Sequence, residues 1–205
     1  MPPLILASTS DSRRQLMTDA GLAFDIVPPG VDEDEVKRSM AAERSPPQAV
    51  AEALAELKAR RVSARHPDAL VVGADSTLAC VGRMFDKPPS LAAARTQLLA
   101  LRGQTHELFS SVVVARGGQR IWHWGERARL TMRPFSESFL DTYLAQAGDS
   151  VLTSVGAYRL ESIGAHLFSR VDGDYFTILG LPLLPLLSFL ANHGIGLEAS
   201  PEKAA

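Results

Sequence analysis

The stretch Leu70-Val71-Val72-Gly73-Ala74-Asp75-Ser76-Thr77-Leu78 constrains this chain more than any other. An apolar, β-branched run of this kind reads as a strand, and it delivers one carboxylate, Asp75. A short turn around Gly82 reverses the chain, and Phe85-Asp86-Lys87-Pro88 brings back a second carboxylate and an ammonium. An acid followed twelve residues later by a lysine across a hairpin can hold a metal, or activate a water beside a cation that binds phosphate. The same spacing also suits a capping aspartate and a surface lysine.

With 205 residues the chain is long enough to bury a sizeable core, and its composition is that of an ordinary globular protein. Net charge is −2 with acids and bases interspersed, so no basic face or tail points to nucleic acid or anionic lipid. An anionic ligand would have to be met by a few placed cations. The single cysteine, Cys80, cannot form an internal disulfide, which fits a reducing cytoplasm, and its apolar strand makes it a core residue before a nucleophile. Met1-Pro2-Pro3 lacks a cationic n-region, so no signal peptide is expected. The longest apolar stretch, Ile178 to Ala191, contains two prolines and is shorter than a membrane span, so a soluble cytoplasmic protein is expected.

Leu4-Ile5-Leu6-Ala7 reads as a short strand feeding Ser8-Thr9-Ser10-Asp11-Ser12, with Arg13-Arg14 on a helical pattern that ends at Gly21. A hydroxyl-rich loop at a helix N-terminus offers free N–H groups, the positive end of the helix dipole and a nearby arginine to phosphate. Redundant N-caps with two solvated arginines fit the segment equally well, and the glycines and lysine of a Walker loop are missing. A second strand is expected at Ala23 to Val27. The acids Asp32-Glu33-Asp34-Glu35 then read as a solvated loop, one member of which could ligate Mg²⁺. Ser45-Pro46-Pro47 starts a helix with serine as N-cap and an apolar stripe of Val50, Ala53, Leu54 and Leu57, flanked by Lys58.

Further on, Ser90 caps a helix through Leu101, and Gly103-Gln104-Thr105-His106 opens a strand that pairs through the Gly117-Gly118 turn with Ile121 to Met132. His106 has no nucleophile in a recognisable arrangement near it, which favours a hydrogen-bonded structural histidine. Ser136 caps a helix with Phe139, Leu140, Tyr143 and Leu144 on one face. The irregular stretch Gly156 to Gly164 holds one acid, Glu161, between two glycines, a pattern found beside ligands more than inside cores. A strand over Ala165 to Val171 and a last helix from Leu181-Pro182-Leu183 to Gly194 complete the chain.

Taken in order, Leu6-Ala7-Ser8-Thr9-Ser10 with Arg13, Val31-Asp32-Glu33, Lys58-Ala59, Val72-Gly73-Ala74-Asp75, Asp86-Lys87-Pro88, Gly103-Gln104-Thr105-His106, Gly156-Ala157-Tyr158 and Gly180-Leu181-Pro182-Leu183 resemble the Maf family of nucleoside triphosphate pyrophosphatases over nearly the whole chain. The resemblance implies an α/β, mixed-sheet, two-lobed fold like that of Maf and inosine triphosphatases, with a deep central cleft. Residues 1–205 would form one domain whose lobes are not independent. It further implies a homodimer and divalent-metal-dependent hydrolysis, with Mg²⁺ or Mn²⁺, of a nucleoside triphosphate to monophosphate and pyrophosphate, as house-cleaning of the nucleotide pool. By the family pattern Asp75 is the proton acceptor for the attacking water, with Lys87 beside it in catalysis. Ser8, Ser10, Arg13 and Lys58 join Lys87 in binding the triphosphate, and Glu33 with Asp75 holds the metal.

The chain departs from the commonest pattern at three positions: Asp11-Ser12 replaces a proline-arginine pair, Ser76 follows the catalytic aspartate in place of threonine, and Glu161 replaces the glutamine of the thymidine and uridine triphosphate subgroup. Glutamate at that last position resembles the subgroup acting on 7-methylguanosine triphosphate. A carboxylate only accepts hydrogen bonds and suits guanine N–H groups or a cationic methylated base, whereas glutamine both donates and accepts. Ser12 and Ser76 match neither subgroup, so the base preference stays open between guanine-type and pyrimidine nucleotides. The family name, from an effect on septum formation, adds the alternative of a nucleotide-binding regulator of division whose hydrolysis is incidental. Retention of Asp75 and Lys87 favours an enzyme, and no basic groove with interleaved aromatics supports a single-strand nucleic-acid binder.

Overall fold

The apolar run at 70–80 becomes the central strand of a mixed sheet, and the shorter elements before and after it line up along its length. The computed structural model describes residues 2–197. In chain order these form β1 (Leu4–Leu6), α1 (Asp11–Asp19), β2 (Asp25–Ile26), α2 (Glu33–Ala42), α3 (Pro47–Ser63), β3 (Leu70–Cys80), β4 (Arg83–Phe85), α4 (Leu91–Leu101), β5 (Thr105–Arg116), β6 (Gln119–Met132), α5 (Glu137–Ala147), β7 (Phe168–Asp172), α6 (Tyr175–Ile178) and α7 (Leu183–Ala191). Short 3₁₀ segments occupy Gly148–Thr153 and Ile163–Leu167. The strand order is β2-β1-β3-β5-β6-β7, with β4 pairing β3 beyond the end of β1. β1 runs parallel to both β2 and β3, and every other pairing is antiparallel.

Two features of this sheet position chemistry. β1 stops at Leu6, level with Val72, and β4 pairs with β3 only from Leu78, so the flank of β3 between Val72 and Leu78 is left open. The serine loop and the N-terminus of α1 come next in the chain, at the carboxyl ends of two parallel strands where open α/β sheets hold their ligands. Alternation along β3 then sends successive side chains to opposite faces. Val71 packs with Val62 of α3, and Gly73 and Asp75 share that face by period two. Val72 and Ala74 pack with α1 and α7 on the other face, which Ser76 shares. Beyond Ser76, Leu78 enters a separate apolar cluster built from α4, α5, β5, β6 and the segment around Tyr158. Asp75 and Ser76 therefore lie at the seam between apolar clusters, where a polar side chain escapes close packing.

α3 approaches β3 closely because its inner face is built of small residues. Ala51, Ala55 and Ala59 are fully buried, and a Cβ on Gly73 would lie 2.3 Å from the Ala55 carbonyl oxygen and 2.7 Å from the Ala59 nitrogen. This packing corrects the expected stripe. The buried positions are Val50, Ala51, Leu54, Ala55, Lys58, Ala59, Val62 and Ser63, while Leu57 is 38% exposed. Lys58 is thus on the inner face and not a flanking surface residue. A stripe chosen by hydrophobicity alone puts the large Leu57 inward, whereas the close approach selects alanines and one lysine that has partners.

Other boundaries differ for local reasons. The acids at 32–35 are not a loop: Asp32 caps α2 by accepting from the Glu35 N–H at 3.0 Å, and Glu33, Asp34 and Glu35 form its first turn, where negative charge complements the helix dipole. Ser45 does not cap α3, whose N-cap is Pro46. The second strand covers only Asp25–Ile26, and the strand expected from Ala165 begins at Phe168 after a 3₁₀ turn. Ser90 and Ser136 cap α4 and α5 as expected, each accepting from an N–H three residues on. Cys80 is buried. The turn after it places Val81 and Gly82 at φ 48° and 73°, the positive values a two-residue hairpin turn requires. Among the described residues no helix is long and apolar enough to cross a membrane.

Gly73→Ala should destabilise the fold by about 3 kcal/mol or more, because the added methyl meets helix backbone and not a flexible side chain. Chemical denaturation reads this directly, and a melting temperature lower by roughly 6–12 °C should accompany it. A loss below about 1 kcal/mol would show that α3 can move away from β3 freely.

Candidate functional site

The open flank of β3 is a cavity of about 350 Å³. It gathers, from separate parts of the chain, the residues to which the family resemblance gives a site role: Ser8, Ser10, Ser12 and Arg13 from the first loop and α1, Glu33 from α2, Lys58 from α3, Asp75 and Ser76 from β3, Lys87 after β4, and Glu161. It also holds Asp86, the second carboxylate of the central hairpin, and two charged side chains that no sequence pattern picks out as ligands, Lys37 of α2 and Arg159.

On the α3 face of β3 one ammonium joins two carboxylates. Lys58 Nζ donates to Asp75 Oδ1 at 2.6 Å and lies 2.7 Å from Glu33 Oε1. Lys58 and Asp75 are 4% and 6% exposed, so this bridge is largely removed from water. A buried charge without a partner costs several kcal/mol, and here each charge has one. Burial works against the Glu33 carboxylate, but the hydrogen bond and charge of Lys58, with Lys37 and Lys87 beyond, outweigh it and bring its pKa below the ordinary glutamate value. Glu33 and Asp75 therefore converge on one cation-sized point.

On the opposite face, the Arg13 guanidinium is fixed by three donations: Nε to the Gly180 carbonyl at 2.8 Å, Nη2 to Ser76 Oγ at 3.1 Å and Nη1 to Ser8 Oγ at 3.4 Å. Ser76 Oγ lies 2.8 Å from Ser110 Oγ, which donates to the Thr177 carbonyl at 2.7 Å. With the Ser110 proton committed to that carbonyl, Ser76 donates to Ser110 and accepts from Arg13. The Ser76 hydroxyl is consumed in orienting the arginine. Burial holds Arg13 below its ordinary pKa, against the fields of Asp75 and Glu33, yet a guanidinium stays charged in proteins. Ser10 stands at the N-cap of α1 without a side-chain capping bond, so the redundant-cap reading does not hold for it. Its N–H instead donates to Ser8 Oγ at 3.2 Å.

Lys87 completes the charged group. Among the described residues it takes part in no ion pair, unlike Lys37, held 2.7 Å from Asp86 Oδ1, and Lys58. Burial and the neighbouring charges of Arg13 and Lys58 depress its pKa, against Glu33 and Asp75. An ammonium in that position gains from any anion that enters.

The cavity also has an apolar wall of Leu108, Val155, Tyr158, Leu160 and Ile178, which belong to one packed cluster, together with Leu179, and it is lined as well by Glu161 and Arg159. Arg159 Nε donates to Glu161 Oε1 at 2.9 Å, so the glutamate is paired within its own segment. That segment is pinned from behind. Tyr143 donates to the Ala157 carbonyl at 3.3 Å, and the Tyr158 hydroxyl lies 2.9 Å from His106 Nε2. His106 is fully buried, as a structural histidine, with Nδ1 lacking a partner among the described residues. Burial lowers its pKa to about 4, so it is neutral at pH 7.

The chain matches the Maf-like protein family over residues 3–193. A nucleoside triphosphate pyrophosphatase of Paramagnetospirillum magneticum is 59% identical over 190 residues, 93% of this chain and 98% of that protein. A protein of the same name from Granulibacter bethesdensis is 54% identical over 93% of this chain and 96% of its own length. A 7-methyl-GTP pyrophosphatase of Rhizobium etli is 47% identical over 94% of this chain and 97% of its own.

The wall has a pH signature. His106 has a folded pKa of about 4 against an unfolded value of 6.5, so the unfolded chain binds the extra proton between those values. Its contribution is complete above pH 6.5 and is lost as pH falls towards 4. From the size of that shift the loss is about 3 kcal/mol. Urea denaturation at pH 7 and pH 4 should show His106→Gln losing less stability on acidification than the wild type, by about that amount. Equal losses in the two proteins would rule out His106 as the source.

Proposed function

The chain belongs to the Maf-like protein family, and from that premise we propose that its cavity hydrolyses a nucleoside triphosphate to a nucleoside monophosphate and pyrophosphate. The observation that carries the reading is the buried Lys58 bridge between Asp75 and Glu33, set among Arg13 and Lys87 in one cavity. A carboxylate held in a cationic pocket suits a reaction in which a water loses a proton next to a polyanion.

Asp75 accepts the proton of the attacking water. The water oxygen forms its bond to phosphorus as the bond between phosphorus and the bridging oxygen of the α–β anhydride breaks, and pyrophosphate leaves with the electron pair. Arg13, oriented by Ser76, Ser8 and Gly180, and Lys87 stabilise the charge that develops on the equatorial and leaving oxygens. The N–H groups at the start of α1, with Ser8, Ser10 and Ser12, add neutral donors to the same anion. Lys58 keeps the Asp75 carboxylate oriented until substrate oxygens share its ammonium.

A divalent cation fits these residues. Glu33 and Asp75 present hard oxygen donors that already converge on a cation, and Mg²⁺ takes one or two carboxylates and completes its shell with phosphate oxygens and water. No cluster of three or more candidate ligand side chains exists among the described residues, which suits a cation held jointly by protein and substrate. When bound, Mg²⁺ or Mn²⁺ would supply charge neutralisation on the phosphates. The reading extends to a cytoplasmic homodimer and to a guanine-type base preference, for which the support is Glu161, next in the chain to Leu160 of the apolar wall and lining the same cavity.

Asp75→Asn should lower kcat by about 10²-fold or more while the protein stays folded, because it removes the base at nearly constant shape. Release of pyrophosphate from nucleoside triphosphates, followed with circular dichroism as the control for folding, measures this, and turnover within about tenfold of wild type would exclude the base role. For the nucleobase, Glu161→Gln should shift the ratio of kcat/KM between guanine-type and pyrimidine triphosphates by roughly tenfold towards the pyrimidines, the cost of one mispaired polar group. An unchanged ratio would mean that Glu161 serves only its pair with Arg159.

A further inference from the structure

We propose that Lys37 is a further polyphosphate-binding residue, which engages the pyrophosphate end of the substrate and is stored on Asp86 until that end arrives. This role rests on the proposed hydrolysis and adds a contact that the family resemblance does not supply. Lys37 follows Glu33 by one turn of α2, so both project from one face into the same cavity. Its Nζ meets a single carboxylate, Asp86 Oδ1 at 2.7 Å, and the Asp86 side chain is 63% exposed. Burial disfavours the Lys37 ammonium, but the hydrogen bond and charge of Asp86, with Asp75 and Glu33 further away, more than offset it.

Position assigns the ligand. Lys37, Lys58, Lys87 and Arg13 are grouped around the carboxylates Glu33 and Asp75, and the apolar wall of the same cavity is the place for a base. A nucleotide whose base lies on that wall and whose reacting phosphate is near Asp75 has its remaining phosphates to place among these cations. There the ammonium exchanges an exposed carboxylate for phosphate oxygens. An ion pair with so exposed a partner adds little stability, and charge-assisted bonds to phosphate are among the stronger ones.

The competing role is mechanical. α2 buries none of its side chains, and the pairs Lys37–Asp86 and Glu33–Lys58 tie it to the rest of the protein. A tether and a phosphate ligand differ in what the loss of Asp86 does. A tether fails alike from either side, whereas a phosphate-binding lysine loses only a competitor.

Calorimetry on the wild type, Lys37→Gln and Asp86→Asn, each titrated with pyrophosphate and separately with guanosine monophosphate in the presence of Mg²⁺, separates the two. Lys37→Gln should raise the Kd for pyrophosphate roughly tenfold and leave that for the monophosphate unchanged, as loss of one charge-assisted contact to the terminal phosphates requires. Asp86→Asn should leave pyrophosphate binding unchanged or tighter. In turnover, Lys37→Gln should lower kcat/KM by the same factor for every base. The proposal is overturned by an unchanged pyrophosphate Kd in Lys37→Gln, by equal weakening in Lys37→Gln and Asp86→Asn, or by equal weakening for pyrophosphate and monophosphate. A wild type that binds pyrophosphate through Lys37 but hydrolyses no nucleoside triphosphate would overturn the proposed function and not this contact.

Discussion

A single ammonium, Lys58 Nζ between Asp75 and Glu33, is the interaction on which the rest of the site depends. It lies on the inner face of α3, between alanines packed against the sheet, where a lone charge would be untenable. The need to compensate that charge links three successive elements: α2 through Glu33, α3 through Lys58 and β3 through Asp75. The small residues around it are part of the same constraint. Only with Gly73 opposite Ala55 and Ala59 does α3 come close enough for a lysine on its inner face to reach a carboxylate two residues further along the strand. Packing and electrostatics here are one requirement.

Strand alternation divides the remaining chemistry. Because neighbouring residues of β3 face opposite sides, Asp75 serves the carboxylate bridge and Ser76 serves the arginine. The run from Arg13 through Ser76 and Ser110 to the Thr177 carbonyl has one self-consistent proton order, so each hydroxyl has a fixed direction. Four elements, α1, β3, β5 and α6, thereby hold one guanidinium. The consequence for Ser76 is specific: it lines the cavity, but its hydrogen-bonding capacity towards the arginine is already used. A serine there influences a ligand chiefly through Arg13.

How much of this is legible in the sequence depends on the range of the interaction involved. The apolar run of β3, the β5–β6 hairpin and the serine caps of α4 and α5 follow from local patterns and can be read directly. The stripe of α3 cannot, since the choice of Lys58 over Leu57 for the inner face is made by Gly73 and Asp75, which lie on another element. Lys37 escapes notice for a local reason. The acids at 32–35 read as a loop until Asp32 is seen to cap Glu35, and only the resulting helix puts Lys37 over Glu33. The signal for it is an aspartate followed three residues later by glutamate. Arg159 has no comparable signal, because its pairing with Glu161 arises in an irregular segment held from behind by Tyr143 and Tyr158.

The charge inventory of the cavity limits how it can work. Five basic side chains line it, Arg13, Lys37, Lys58, Lys87 and Arg159, and so do five acidic ones, Glu33, Asp34, Asp75, Asp86 and Glu161. With formal charges cancelling, the cavity has no surplus with which to attract every phosphate that passes. Lys37, Lys58 and Arg159 each already hold a carboxylate, and among the described residues Lys87 is the one cavity lysine without such a partner. A polyanion must therefore enter by exchanging partners: each phosphate oxygen that takes an ammonium releases a carboxylate, and a released carboxylate needs a cation or a proton in its turn. A ligand that brings its own divalent cation satisfies both halves of that exchange at once, whereas a bare phosphate satisfies one. On the proposed function, neutrality of this kind selects the metal–polyphosphate complex over its parts, and the proton left by water has a base, Asp75, whose lysine partner is drawn to the incoming oxygens as the reaction begins.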